Sequence, residues 1–233
     1  MEPRRDRYSV LPALTRRTAL AVAAVAGFVA VALGFRYAGE AYPRWLDQVG
    51  LSLARDWFPI PSPAARSLIG LFDPLPLAML IAVLAGVCLA SGRRRLAVLA
   101  VAGPVVTGLA TTALKPVVER TKNGDLAYPS GHMGAAVALA IVVALLIVSL
   151  LGLRRWAAVS VLVAVPSAVG AGMGLGMTIV RYHYLTDAIG GFCVAVAVVL
   201  SLAVLLDRLP SGRLGADGGG VGRGRNVSRP LCD

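Results

Sequence analysis

The chain has 233 residues, 57% of them hydrophobic and only 15% charged, with a formal net charge of +11. A chain this apolar cannot cover itself with polar surface in water, which excludes an ordinary soluble domain and points to a bilayer as its solvent. Three cysteines, Cys88, Cys193 and Cys232, stand far apart without CxxC spacing, so neither a disulfide framework nor a zinc site is implied.

In chain order, residues 1–17 form a basic N-terminal segment, followed by an uncharged run over Thr18–Phe35. No small-residue cleavage site ends that run, so it is expected to be an uncleaved helix rather than a signal peptide. Next, "YPRWLDQVGLSLARDWFPIPSP" carries Trp45 and Trp57, with apolar Leu46, Val49, Leu51 and Leu53. This pattern predicts a short interfacial helix anchored by tryptophans.

Further uncharged runs lie at Pro74–Gly92, Leu96–Leu114, Met133–Leu153, Trp156–Val180 and Ala188–Leu206. Each approaches or exceeds the roughly 17–25 residues that a helix needs to cross a hydrocarbon core. Backbone polar groups in lipid must be satisfied within the segment, so the runs are helices. Asp73-Pro74 and Pro129-Ser130 read as helix starts, and Pro104 and Pro166 as kink points. In "GAGMGLGM", Gly170/Gly174 and Gly172/Gly176 are small-xxx-small pairs suited to close helix packing. The expected fold is all-α: a six-helix membrane bundle over residues 18–206, with the interfacial helix between helices one and two. Residues 207–233 form a Gly/Arg-rich tail, expected to be disordered. The Gly/Arg-rich, Lys-poor composition points to a high-GC bacterial source.

Charge placement gives an orientation. The N-terminus, the turns Arg93–Arg95 and Arg154–Arg155, and the tail together hold 15 of the 23 basic residues, for a net +10 on that side. The opposite face is nearly neutral. The positive-inside rule therefore places both termini in the cytoplasm of a plasma or inner membrane, with anionic lipids as partners of the basic face. That arrangement accounts for the basic charge without any nucleic acid.

Both histidines, His132 and His183, fall on the opposite, extracytoplasmic face. Pro129-Ser130-Gly131-His132 can start a helix with Ser130 as its cap. The open N–H groups there form either an ordinary cap or an anion site that Gly131 lets a phosphate approach. Lys115, Arg120, Lys122 and Arg181 either snorkel to the interface or clamp such an anion. His183 and Asp187 are four apart. They make either a helix-stabilising pair or a dyad whose carboxylate holds one imidazole nitrogen and leaves the other nucleophilic. In the dyad reading, His132 protonates the leaving oxygen and later activates water. A metal held by two histidines and Asp187 is opposed by the surrounding cations.

These residues resemble the type 2 phosphatidic acid phosphatase (lipid phosphate phosphatase) superfamily. Its signatures run Lys-x6-Arg-Pro, Pro-Ser-Gly-His and Ser-Arg-x5-His-x3-Asp. The second stands unchanged at Pro129–His132, the third keeps His183-x3-Asp187, and the first keeps Lys115 with Lys122 in the arginine position before Asn123. The resemblance covers Leu77 to Leu206. It implies His183 as the nucleophile forming a phosphohistidine, Asp187 orienting it, and His132 as acid and then base. It also implies that Lys115, Lys122, Ser130 and Gly131 bind phosphate, with no metal or other cofactor.

The Ser-Arg of the third signature aligns with Gly176-Met177, so its arginine is missing. Arg181, one turn further if the helix continues, is the expected replacement, and Arg120 a supplement to Lys122. The chain is thus expected to be a metal-independent membrane phosphatase acting on a lipid phosphate or polyprenyl (di)phosphate. A lipid-phosphate-binding pseudoenzyme and a small transporter are the alternatives.

Overall fold

The computed structural model describes residues 10–11, 16–57 and 62–209. The tail from residue 210, most of the basic N-terminal segment and residues 58–61 lie outside the described residues. Eight helices and one small hairpin follow in order: α1 (Arg16–Arg36), α2 (Trp45–Trp57), α3 (Pro63–Gly70), α4 (Pro74–Ala90), α5 (Arg94–Val118), β1 (Thr121–Lys122), β2 (Asp125–Leu126), α6 (Gly131–Leu151), α7 (Arg155–Ile179) and α8 (Leu185–Arg208). The protein is an all-α polytopic membrane protein. Helices α1, α5, α6, α7 and α8 are long and apolar enough to cross a bilayer, and α3 with α4, bent by 61° at the break between them, adds a sixth if the pair is counted as one span.

Helix α6 has no polar stripe and is buried along most of its length, as expected of a central helix. It packs against α5, α7 and α8, while α1 lies on α8. The outer helices turn large apolar side chains outward, such as Phe28 and Phe35 on α1 and Leu109 on α5, toward lipid rather than water.

Close approach is written in small residues. A Cβ on Gly170 would strike the Phe192 ring of α8, and one on Gly174 would touch Met133 of α6. Gly176 faces α3, whereas Gly172 meets nothing within 4 Å, so one of the four glycines of the expected pairs has no packing role. Helices α5 and α7 run on through Pro104 and Pro166.

The alternation of directions brings the C-terminal ends of α1, α5 and α7 and the N-terminal ends of α4, α6 and α8 to one mouth of the bundle. Arg95 lies at the other end, 3.7 Å from Asp207, and Arg16 donates to the Asp207 carbonyl there. The expected interfacial helix is α2, with Trp45 exposed at its start.

Candidate active site

At the histidine-bearing mouth, Ser130 is the N-cap of α6: its backbone is extended and its Oγ accepts from the Met133 amide at 3.4 Å. The cap leaves the amides of Gly131 and His132 ahead of the intrahelical ladder, at the positive end of the helix dipole. The second half of the site arrives on the α7–α8 turn. The Ser130 amide donates to the Asp187 carbonyl at 3.0 Å, tying the two helix starts together through backbone. Gly191, one turn into α8, makes this possible. A Cβ there would fall far inside van der Waals contact with the Ser130 carbonyl oxygen, and one on Gly190 would enter the Tyr128 ring.

Helix α8 begins at Leu185 rather than near His183, so His183 precedes the helix and Asp187 sits in its first turn. Their pairing survives the change: His183 Nδ1 lies 3.6 Å from Asp187 Oδ2. That oxygen also accepts from the Tyr184 amide at 3.0 Å, which fixes the carboxylate's plane. His183 Nδ1 is buried without a hydrogen-bond partner, so the contact is an approach of charge rather than a formed bond.

His132 is partly exposed at the start of α6, and its Nε2 lies 3.0 Å from Asp73 Oδ1. Asp73 is the N-cap of α4, yet its side chain makes no bond to its own helix. The helix start at Asp73-Pro74 was legible in the sequence; the carboxylate's partner, 59 residues away, was not. The Tyr182 ring stands between the histidines, edge-on to His132 with centroids 5.4 Å apart and to His183 at 5.3 Å.

The cations divide into two groups. Arg120, expected to supplement the phosphate clamp, is fully buried with its fork spent on two carboxylates. Nη1 donates to Asp187 Oδ1 at 2.7 Å and Nη2 to Asp47 Oδ2 at 2.5 Å. Its guanidinium is sandwiched between the Tyr37 and Tyr184 rings, 4.4 and 4.7 Å from their centroids. Lys122, in contrast, is buried with its ammonium unpaired, 4.2 Å over the Tyr184 ring. Burial lowers its pKa to about 8, against the opposing pull of Asp187 and Asp47.

Lys115 lies half-buried in the last turn of α5. Arg181 is exposed and has left-handed backbone with φ of 60°. Helix α7 ends at Ile179, so the expectation that Arg181 continues its face one turn beyond Met177 does not hold. Arg181 stands instead on the turn that follows α7. Met177, in the position of the missing arginine, is fully buried with its sulfur 3.5 Å from Ser130 Oγ.

Among the described residues, no group of three or more His, Cys, Asp or Glu side chains is placed to hold a metal ion. The fold and site together define a helical membrane protein whose two histidines, with Asp73, Asp187 and the buried Lys122, lie at one mouth of the bundle. Residues 109–210, from the end of α5 through α8, match the model of the PAP2 superfamily. That match supports phosphatase activity on phosphate esters. No curated protein and no solved structure matches the chain.

Proposed function

We propose that the protein hydrolyses the terminal phosphate of a membrane lipid phosphate or polyprenyl (di)phosphate, without a metal, through a phosphohistidine on the extracytoplasmic face. The observation that carries this reading is the buried Lys122 ammonium, without a hydrogen-bond partner and in the field of Asp187, the carboxylate that pairs with His183. A buried ammonium with no hydrogen-bond acceptor is only partly compensated by an aromatic face and more distant carboxylates, and a phosphate dianion is its natural complement.

In the first step, the His183 Nε2 lone pair attacks phosphorus as the P–O bond to the lipid breaks. The leaving oxygen takes its proton from His132, held by Asp73. In the second step, His132 removes a proton from water, which attacks phosphorus; the P–N bond breaks and inorganic phosphate departs. Lys115, Lys122, Arg181 and the amides of Gly131 and His132 stabilise the equatorial oxygens, which is the main catalytic requirement of phosphoryl transfer. The position of the site at a bundle mouth, level with the tryptophan-bearing α2, suits a phosphate attached to a chain that stays in the membrane.

The test is phosphate release from a panel of such lipids by purified protein in detergent with excess chelator. Release that persists in chelator and disappears in His183→Ala is expected. Undiminished release by His183→Ala overturns the mechanism, and loss of release in chelator overturns its metal independence.

A further inference from the structure

Helix α2 lies outside the segment that matches the superfamily, and it is a surface helix: Trp45, Leu46, Val49 and Leu53 are all exposed. One of its residues behaves differently. Asp47 is completely buried, which for a carboxylate is costly unless every oxygen is engaged. Here they are. Oδ2 accepts from Arg120 Nη2 at 2.5 Å, and Oδ1 accepts from Thr186 Oγ1 at 2.7 Å and from the Thr186 amide at 3.0 Å.

Asp47 therefore grips Asp187 from two sides, through its arginine partner and through its chain neighbour. Arg120 bridges two carboxylates with its two terminal nitrogens, and this division has a consequence for Asp187. Only Oδ1 of Asp187 is bonded to Arg120, which leaves Oδ2 to accept from the Tyr184 amide and to face His183 at 3.6 Å. A guanidinium that loses one of two carboxylate partners tends to take the other with both nitrogens, because the fork matches a carboxylate bidentately. Without Asp47, Nη2 would compete with His183 for Oδ2.

We propose that Asp47 is a positioning residue for the nucleophile: by occupying half of Arg120, it reserves one oxygen of Asp187 for His183. Asp47 touches no reacting atom and acts through Arg120 and Thr186. The interfacial helix is thereby a structural member of the site, though it lies 73 residues from Arg120 in sequence. The inference rests on the His183–Asp187 reading of the site, and its test separates the two.

Asp47→Asn retains the shape and can still accept from Thr186, but presents an N–H to Arg120 where an acceptor is needed. In the full chain in detergent, kcat is expected to fall about 10- to 100-fold, the usual range for an outer partner of a catalytic group, with KM little changed. The double variant Asp47→Asn/Asp187→Asn should be no slower than Asp187→Asn alone, because the two residues act in one line. Independently of turnover, carbethoxylation by diethyl pyrocarbonate at about pH 8, above the ordinary imidazole pKa of about 6.5, reads each histidine's nucleophilicity by mass spectrometry. The His183-to-His132 labelling ratio should drop several-fold in Asp47→Asn, whereas general loosening would raise both rates.

Wild-type kcat in Asp47→Asn, multiplicative effects in the double variant, or an unchanged labelling ratio each overturn the proposal. If the wild-type chain releases no phosphate from any ester, the proposed function fails while the labelling ratio still decides the role of Asp47. Should Asp47→Asn not fold, Arg120→Lys, which cannot span both carboxylates, must show the same drop in the ratio.

Discussion

Burial of Lys122 gives the site a pH dependence at the scale of a single residue. Its ammonium is charged below about 8 and lost above, so apparent affinity for inorganic phosphate should weaken about tenfold per pH unit beyond that point. Lys122→Arg should carry tight binding to higher pH, which calorimetric titration across pH 7–10 would read; a flat profile in the wild type contradicts the assignment. For the unliganded protein the sign is opposite. The folded-state value lies below the ordinary 10.5, so the unfolded chain holds more protons between about 8 and 10.5, and stability rises with pH there.

Asp73 makes a second prediction at this scale. If it holds His132 as general acid, Asp73→Asn should slow hydrolysis of an alkyl phosphate roughly tenfold while barely affecting a nitrophenyl phosphate, whose leaving group needs no proton. Equal losses on both substrates would reduce Asp73 to a structural contact. His183, Asp187 and Ser130 were legible in the sequence because their relations are local: a spacing of four, and a cap before an apolar run. The partners of Arg120 and His132 were not, because those contacts close loops of 59 to 73 residues.

Among the elements, the join between α6 and α8 is where packing and chemistry depend on the same atoms. Gly191 lets α8 lie against the Ser130 carbonyl, a backbone atom that cannot swing aside. Gly191→Ala should cost about 1–3 kcal/mol by overpacking and should separate His183 from the start of α6. A lowered thermal midpoint in detergent with a larger loss of kcat is the expected pair of results; wild-type behaviour would mean the helices tolerate a wider join.

The long helices were readable from composition alone, since a bilayer demands some twenty apolar residues per crossing. The 61° break between α3 and α4 was not, because the residues before Asp73 read as a connection on the way to the next crossing. The small-xxx-small glycines announced close packing but not its direction. Gly170, Gly174 and Gly176 meet neighbours that only the assembled bundle supplies, whereas Gly172 meets none.

For the molecule as a whole, the arginine-rich end and the histidine-bearing mouth lie at opposite ends of the bundle, which is the arrangement that the positive-inside rule requires for an extracytoplasmic site. Single cysteines placed at Asp125, exposed in the hairpin beside the site, and at Arg154, exposed at the other end, test the orientation in intact cells. A membrane-impermeant maleimide should label the first and spare the second; the reverse pattern would invert the topology and place the site in the cytoplasm.

The central claim is that His183 carries the phosphoryl group, and it is tested most directly by trapping the intermediate. His132→Ala removes the base that activates water. Quenched in alkali after incubation with an activated phosphate ester, which needs no general acid, it should retain a phosphoryl group that mass spectrometry maps to His183. Turnover of the same ester by the wild type, with the variant's phosphoryl group found on another residue, would contradict the account.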